Sequence, residues 1–387
     1  MNLTKICIIS TSLWFFSLES RAEDKTSSPV TESDVNPDEA PLSKKMERPD
    51  QEKSLLENVV FVPAIFYTPE TSFGLGLGVV HVFKEDEEQK NAKTSQFIPL
   101  LIYTTNRQTI LRLYMKNYFV NDTYFSDMSL SYNDYPDKYY GIGSDTELKD
   151  EEKFTEEYGR VTWDMMRRIV EDVYIGPAFR YEHFLLKDKE EDGTLRLNPP
   201  IGANSGKTNG IGLRFFFDHR DNDFNTRKGY FYEYLFLRYL VDLGSSQQFS
   251  HQFIRFRYFL PLWTKTTLGT DFRYEGNYGE VPLRHLAQLG GQYNLRGYFL
   301  GRFRDRQSLF SQVEIKQQMN LHWSYVIFAG AGEVADRLKK FNNEDIKIAQ
   351  GFGFRYLVKP EKRVGYRLDF AFGEDSRAVY FGVGDAF

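Results

Sequence analysis

The sequence predicts an all-β fold, a transmembrane antiparallel β-barrel of sixteen strands. Three observations carry that reading. Apolar and polar residues alternate with period two from Val59 to the last residue. The polar face of these stretches is charged, while the apolar face is built from Phe, Tyr, Leu and Val. The connections between the candidate strands sort by parity into short and long.

The chain begins with something else. Its only continuous apolar run, Ile6–Leu18, is about 13 residues long, too short to span a bilayer as a helix. It follows Lys5 and ends at the small-x-small site Ser20-Arg21-Ala22, so residues 1–22 read as a secretory signal peptide cleaved after Ala22. Cys7, the one cysteine, lies inside it, and Thr4-Lys5-Ile6 is not a lipoprotein site. The mature chain is therefore expected to carry no disulfide framework and no thiol chemistry. Residues 23–57 hold ten acids and five bases with few aliphatics. Such a segment buries too little apolar area to fold and reads as a disordered acidic periplasmic segment ahead of a barrel domain over 58–387. A mean hydropathy of -0.50 does not exclude a membrane protein, because a barrel wall alternates polar and apolar residues.

The alternation is strict. Leu111, Leu113 and Met115 oppose Arg112, Tyr114 and Lys116; Ile254, Phe256, Tyr258 and Leu260 oppose Arg255 and Arg257; Tyr366, Leu368 and Phe370 oppose Arg367 and Asp369. A soluble sandwich would put the apolar face inside. The aromatic ends of these apolar faces and the export signal favour the inside-out arrangement, with lipid outside and charge within. Candidate strands fall near 59–67, 72–84, 95–106, 108–120, 124–132, 156–168, 172–187, 208–220, 230–240, 249–263, 266–279, 308–320, 323–336, 348–358, 363–373 and 376–387. Connections after even strands are mostly short, such as 121–123, 171, 264–265 and 321–322. Those after odd strands include the long stretches 133–155, 188–207 and 280–307. Short periplasmic turns and long outer loops place both termini in the periplasm of a Gram-negative bacterium.

One stretch stands out from the wall. Leu289–Arg306 reads LGGQYNLRGYFLGRFRDR, four glycines among aromatics and arginines, which suits a tight irregular loop. Arg296, Arg302, Arg304 and Arg306 there need acidic and apolar surface to lie on. The stretch is similar to the Gly-Gly…Leu-Arg-Gly-Tyr loop of the BamA/TamA superfamily of outer-membrane barrels, the bacterial surface antigens. Three further stretches carry the resemblance. Asp218-His219-Arg220-Asp221-Asn222 with Lys228-Gly229-Tyr230 resembles that family's hairpin. Gln312-Val313-Glu314-Ile315 with Gly332-Glu333-Val334-Ala335-Asp336 is the second. The third runs from Gly351-Phe352-Gly353-Phe354-Arg355 through Arg367-Leu368-Asp369-Phe370 to Phe387.

The resemblance implies that this sixth outer loop folds into the lumen and that Arg296, with Gly297 and Tyr298, locks it there, Glu314 and Asp336 being the carboxylate partners. Glu314 shares the polar face with Gln312, Lys316 and Gln318, in agreement. It also implies a hairpin held by Asp218, Arg220, Asp221 and Gly229, and an insertion signal at the C-terminus in Tyr380 and Phe387. Asp385 departs from that signal, where an apolar residue is usual. A lateral seam joins the first strand, interrupted by Pro63, to the last, weakened by Gly382 and Gly384. Pro63 is equally readable as the strand's periplasmic entry. Only the acidic segment precedes the barrel, so POTRA domains are expected to be absent, with periplasmic or lipoprotein partners in their place.

Six histidines show no metal spacing, no serine sits in a nucleophile elbow, and Gly74-x-Gly76-x-Gly78 is strand alternation with no helix behind it. No enzyme, cofactor, metal or nucleic-acid site is expected; the partner is outer-membrane lipid. Three functions fit: a machine that inserts or translocates proteins or lipids through the seam, a passive channel preferring anions because of its arginines, or an adhesin using the long outer loops.

Overall fold

The computed structural model describes residues 59–83, 95–222, 225–360 and 363–387. The signal peptide and the acidic segment lie outside the described residues. Sixteen strands form the wall, in chain order β1 (Val59–Thr68), β2 (Ser72–Phe83), β3 (Ser95–Thr104), β4 (Thr109–Phe119), β5 (Tyr124–Tyr139), β6 (Glu152–Val170), β7 (Val173–Lys187), β8 (Ser205–Asp218), β9 (Gly229–Tyr239), β10 (Phe249–Trp263), β11 (Thr266–Gly279), β14 (Gln307–Gln318), β15 (Trp323–Ala335), β16 (Lys347–Lys359), β17 (Val364–Phe372) and β18 (Arg377–Val383). Each pairs antiparallel with its neighbours and the sheet closes, β18 meeting β1. Two short strands, β12 (Ala287–Leu289) and β13 (Phe303–Asp305), pair with each other inside the β11–β14 connection.

Most strand ends match the expected ones, and two differences have physical causes. β5 and β6 run on to the pair Tyr139↔Glu152, so the expected loop 133–155 shrinks to 140–151. Asn133 to Asp137 have turn chemistry, but each finds a ladder partner across the hairpin, and pairing outweighs local preference. β18 stops at Val383, short of the expected 387, because Gly384 takes φ 79° and turns the chain out of the ladder.

The faces are inside-out, as expected. Leu75, Leu77 and Ile327 are more than half exposed on one side, while Arg255, Arg355 and Arg367 are buried on the other. An apolar belt of this extent does not face water in a soluble monomer; it faces lipid. Among the described residues no helix is long and apolar enough to cross a membrane, and a barrel crosses with strands instead.

The closure is uneven. β1 is zipped to β2 along its whole length, from Val59↔His81 to Thr68↔Ser72, whereas β1 and β18 share the single register pair Tyr67↔Phe381. Continuing that register six residues would set Phe387 opposite Phe61, but the chain leaves the wall at Gly384 first. Pro63 stands in the part of β1 that β18 does not reach, where a residue without an N–H costs no ladder bond on that side.

A charge placed on the outer face tests the orientation of the wall. Ile327→Arg, with Ile327 facing outward on β15, is expected to lower folding stability by about 2–4 kcal/mol in denaturant titrations into bilayers. Unchanged stability would mean that this face does not meet lipid.

Candidate functional site

The loop between β11 and β14 is built to be buried. Its first turn of 3-10 helix, Leu283–His285, is buried throughout, and so are the side chains from Ala287 to Tyr298. A loop this rich in arginine is stable in such a place only if every charge finds a partner. The wall supplies them from its polar face.

Arg296 is the centre. Its Nη1 donates to Asp369 Oδ2 at 2.8 Å on β17, and its Nη2 to Glu314 Oε2 at 2.9 Å on β14. The guanidinium lies 3.4 Å from the centroid of the Phe328 ring, so its face is covered as well as its edges. Arg355 on β16 serves the same two carboxylates, donating to Asp369 Oδ1 at 2.6 Å and to Glu314 Oε2 at 3.4 Å. Its Nε donates to Asp385 Oδ1 at 2.9 Å, and Asp385 also accepts from Lys316 Nζ at 2.7 Å. Three carboxylates and three cations thus form one buried chain that runs from the loop to the end of the polypeptide.

Gly297 holds φ 118°, and a Cβ there would lie 2.9 Å from the backbone nitrogen of Gly373, so no other residue fits without displacing the β17–β18 turn. Its N–H donates to Tyr380 Oη at 3.1 Å and its carbonyl accepts from Ser376 Oγ at 2.6 Å. Tyr298 Oη donates to the Ile348 carbonyl at 3.0 Å and accepts from the Glu374 N–H at 2.9 Å; burial pushes this phenol's pKa up. Arg302 donates to Thr146 Oγ1 at 2.7 Å, and Leu300 N–H to Glu70 Oε1 at 2.8 Å. Burial raises the Glu70 pKa against that bond.

Asp336 is not a partner of Arg296. It lies half-buried beyond the end of β15, 3.0 Å from Arg337 and 3.5 Å from Arg306, and these cations hold its carboxyl below the usual range. The reason is distance along the strand. Phe328 is level with Glu314, and Asp336 is eight residues further on, roughly 26 Å at strand rise. Asp369 takes the place expected of Asp336.

The hairpin motif forms a compact turn between β8 and β9. Arg220 holds Asp218 in a two-point pair, Nε to Oδ1 at 2.7 Å and Nη2 to Oδ2 at 2.6 Å. Asp221 Oδ1 accepts from the Arg227 and Lys228 N–H groups at 2.9 and 3.2 Å, and its Oδ2 accepts from Arg363 Nη1 at 2.6 Å. Gly229 closes the turn at φ 110°. Lys316 Nζ donates to Asn225 Oδ1 at 3.0 Å, so the hairpin reaches the same lysine that holds Asp385.

At the chain end the structure separates what the sequence grouped. Tyr380 is on the buried face of β18 and touches the loop. Phe387 is not in the wall; it packs inside on Phe259, ring centroids 6.0 Å apart. Asp385 replaces an apolar residue because it is an interior ion-pair partner. Gly382 stays in the ladder opposite Arg367, and Gly384 makes the last link, its N–H donating to the Gly365 carbonyl at 3.0 Å, before the chain turns inward. Sequence reasoning missed Asp369, Arg355 and Asp385 as partners of the lock, although all three were readable as polar-face residues or departures from pattern.

The family model described as Omp85 superfamily domain matches residues 67–387, most of the chain. The chain belongs to the Omp85 superfamily. Among solved structures, this Omp85 barrel is similar to BamA from Haemophilus ducreyi lacking POTRA domains 1-3, with a TM-score of 0.60 and 13% identity over 84% of this chain and 70% of that one. It is also similar to CdiB from Acinetobacter baumannii (0.53, 11%, 85% and 60%) and CdiB from Escherichia coli (0.54, 10%, 84% and 62%). The chain thus spans less than two thirds of either CdiB chain. At these identities the likeness is one of fold. No curated protein matches.

The two ends of the expected Arg296–Asp336 pair give opposite expectations. Arg296→Ala leaves Glu314 and Asp369 facing a smaller cationic share, and is expected to cost about 3–5 kcal/mol, lowering the temperature at which the folded band is lost in heat-modifiable electrophoresis. Asp336→Ala is expected to leave that temperature unchanged. Equal effects of the two substitutions would contradict the assignment.

Proposed function

We propose that this Omp85 barrel inserts or translocates proteins or lipids at the outer membrane through the β1–β18 seam, with the loop between β11 and β14 folded through the lumen as a plug. The observation that carries the reading is the seam itself: every other neighbouring pair of wall strands is zipped over many residues, and this one rests on Tyr67↔Phe381. A wall that must part at one place needs one cheap joint. Pro63 and the early departure at Gly384 keep it cheap. In this reading both termini are periplasmic, the outer membrane's lipid is the immediate partner, and periplasmic or lipoprotein partners deliver the client.

A passive anion channel is the weaker reading. Several inner arginines stand against carboxylates: Arg214 against Glu233, Asp164 and Asp127, Arg180 against the same Asp164, and Arg255, Arg257 and Arg273 around Asp271. Paired guanidiniums offer little net field to a passing anion.

The seam can be fastened chemically. Tyr67 and Phe381 are direct register partners, at a Cα spacing that accepts a disulfide. Tyr67→Cys with Phe381→Cys, as the only copy in cells, is expected to reduce the outer-membrane levels of other barrels or surface lipoproteins when oxidised, and to restore them on reduction. Unchanged levels with the seam fully cross-linked would reject lateral release.

A further inference from the structure

Arg296 is not the loop's only ionic attachment. Near the start of the same loop Arg284, equally buried, enters a second cluster of carboxylates. Its Nε donates to Glu182 Oε1 at 2.6 Å on β7, and its Nη1 pairs with Glu156 on β6. Its guanidinium lies 3.5 Å from the centroid of the Tyr158 ring. Glu182 is shared with Arg160 of β6, and His285 Nε2 lies 3.4 Å from Glu182 and 3.3 Å from Thr208 Oγ1. Burial holds the His285 imidazole well below its ordinary pKa, so it is neutral there and adds no charge to the pair. The backbone is tied down beside it, Leu283 N–H donating to the Ile201 carbonyl at 2.7 Å.

The two attachments resemble each other in chemistry. Each is an arginine between two carboxylates from different strands, with one aromatic ring against the guanidinium: Glu314, Asp369 and Phe328 at one, Glu156, Glu182 and Tyr158 at the other. They also stand opposite each other. In the closed order, β11, β10, β9 and β8 separate β14 from β7 on one side, and β18, β1, β2, β3, β4 and β5 separate β17 from β6 on the other. Arg284 and Arg296 are twelve residues apart, enough chain to reach ~40 Å if extended.

We propose that Arg284 is a second positioning residue, and that the loop is a strut braced against both sides of the barrel rather than a flap hinged on Arg296. The strut deepens the plug reading above and rests on it. A flap opens when its one latch is released. Held also through Gly297, Tyr298, Leu300 and Arg302, such a strut keeps the bore closed when either charged end is freed, and loosens when both are. Charge pairs at the two ends therefore act together on closure from opposite sides of the barrel.

Single-channel conductance in planar bilayers separates these cases, with heat-modifiable mobility reporting that each protein has inserted folded. Arg284→Gln and Arg296→Gln are each expected to change mean conductance by less than about twofold. The double variant is expected to raise it by about tenfold or more, far beyond the product of the two. Glu156→Gln, a milder cut at the same end, should behave like Arg284→Gln when combined with Arg296→Gln. A disulfide between Leu283→Cys and Ile201→Cys, in a Cys7→Ser background, should close the double variant again, with dithiothreitol reopening it. Full opening by Arg296→Gln alone would overturn the strut and leave the plug reading standing. A double variant that inserts folded and conducts like the parent would overturn both. Should the double variant fail to insert, Glu156→Gln with Arg296→Gln carries the same test with the same two outcomes.

Discussion

A buried guanidinium must have its counter-charge beside it, and much of this molecule is arranged around that demand. Removing a charge from water costs several kcal/mol even after relaxation, and only close, well-directed carboxylates offset it. Arg296 is nearly inaccessible, so Asp369 and Glu314 must stand where they do, on strands β17 and β14. Arg355 then balances the two carboxylates that face Arg296, and its Nε is met by Asp385, whose charge Lys316 balances. Each partner fixes the next. The fold of the loop, the spacing of four wall strands and the path of the last residues follow from one ionic chain.

The same chain explains an apparent defect in the wall. A barrel gains by having no edge, yet here the last strand ends early and leaves much of β1 without a partner on one side. The residues that would have completed the ladder are used inside, Asp385 on Lys316 and Arg355, and Phe387 on Phe259. Ladder hydrogen bonds are exchanged for charge-assisted bonds and a buried ring. The exchange ties the loosest joint of the barrel to the loop, since Glu314 is held by both Arg355 and Arg296.

Much of this was legible in the sequence. Period-two alternation located all sixteen wall strands because lipid and lumen impose opposite chemistry on successive residues. Arg296, Gly297, Tyr298 and Glu314 were legible through the motif and the parity of their strand. Asp336 was misread because likeness of sequence says which carboxylates are present, not how far along a strand they lie. Asp369 was visible on the polar face with Arg367, but its meeting with Arg296 depends on register across β15, β16 and β17, which no local pattern encodes. Arg284 lay outside the motif altogether, and its partners Glu156 and Glu182 are more than a hundred positions earlier. The inward turn at Gly384 left two traces, the glycine itself in the last strand and the acidic residue after it where an apolar one was expected.

Arg296 holds the loop in place rather than merely resting against the wall. Hydrogen–deuterium exchange in lipid nanodiscs, read by mass spectrometry on peptides covering 287–301, tests it most directly. Amides fixed by the lock should exchange as slowly as those of β14 and β15, over hours, and should speed up selectively in Arg296→Ala while the wall peptides do not. Complete exchange of that segment within seconds in the parent protein, beside a protected wall, would mean that Arg296 does not hold the loop.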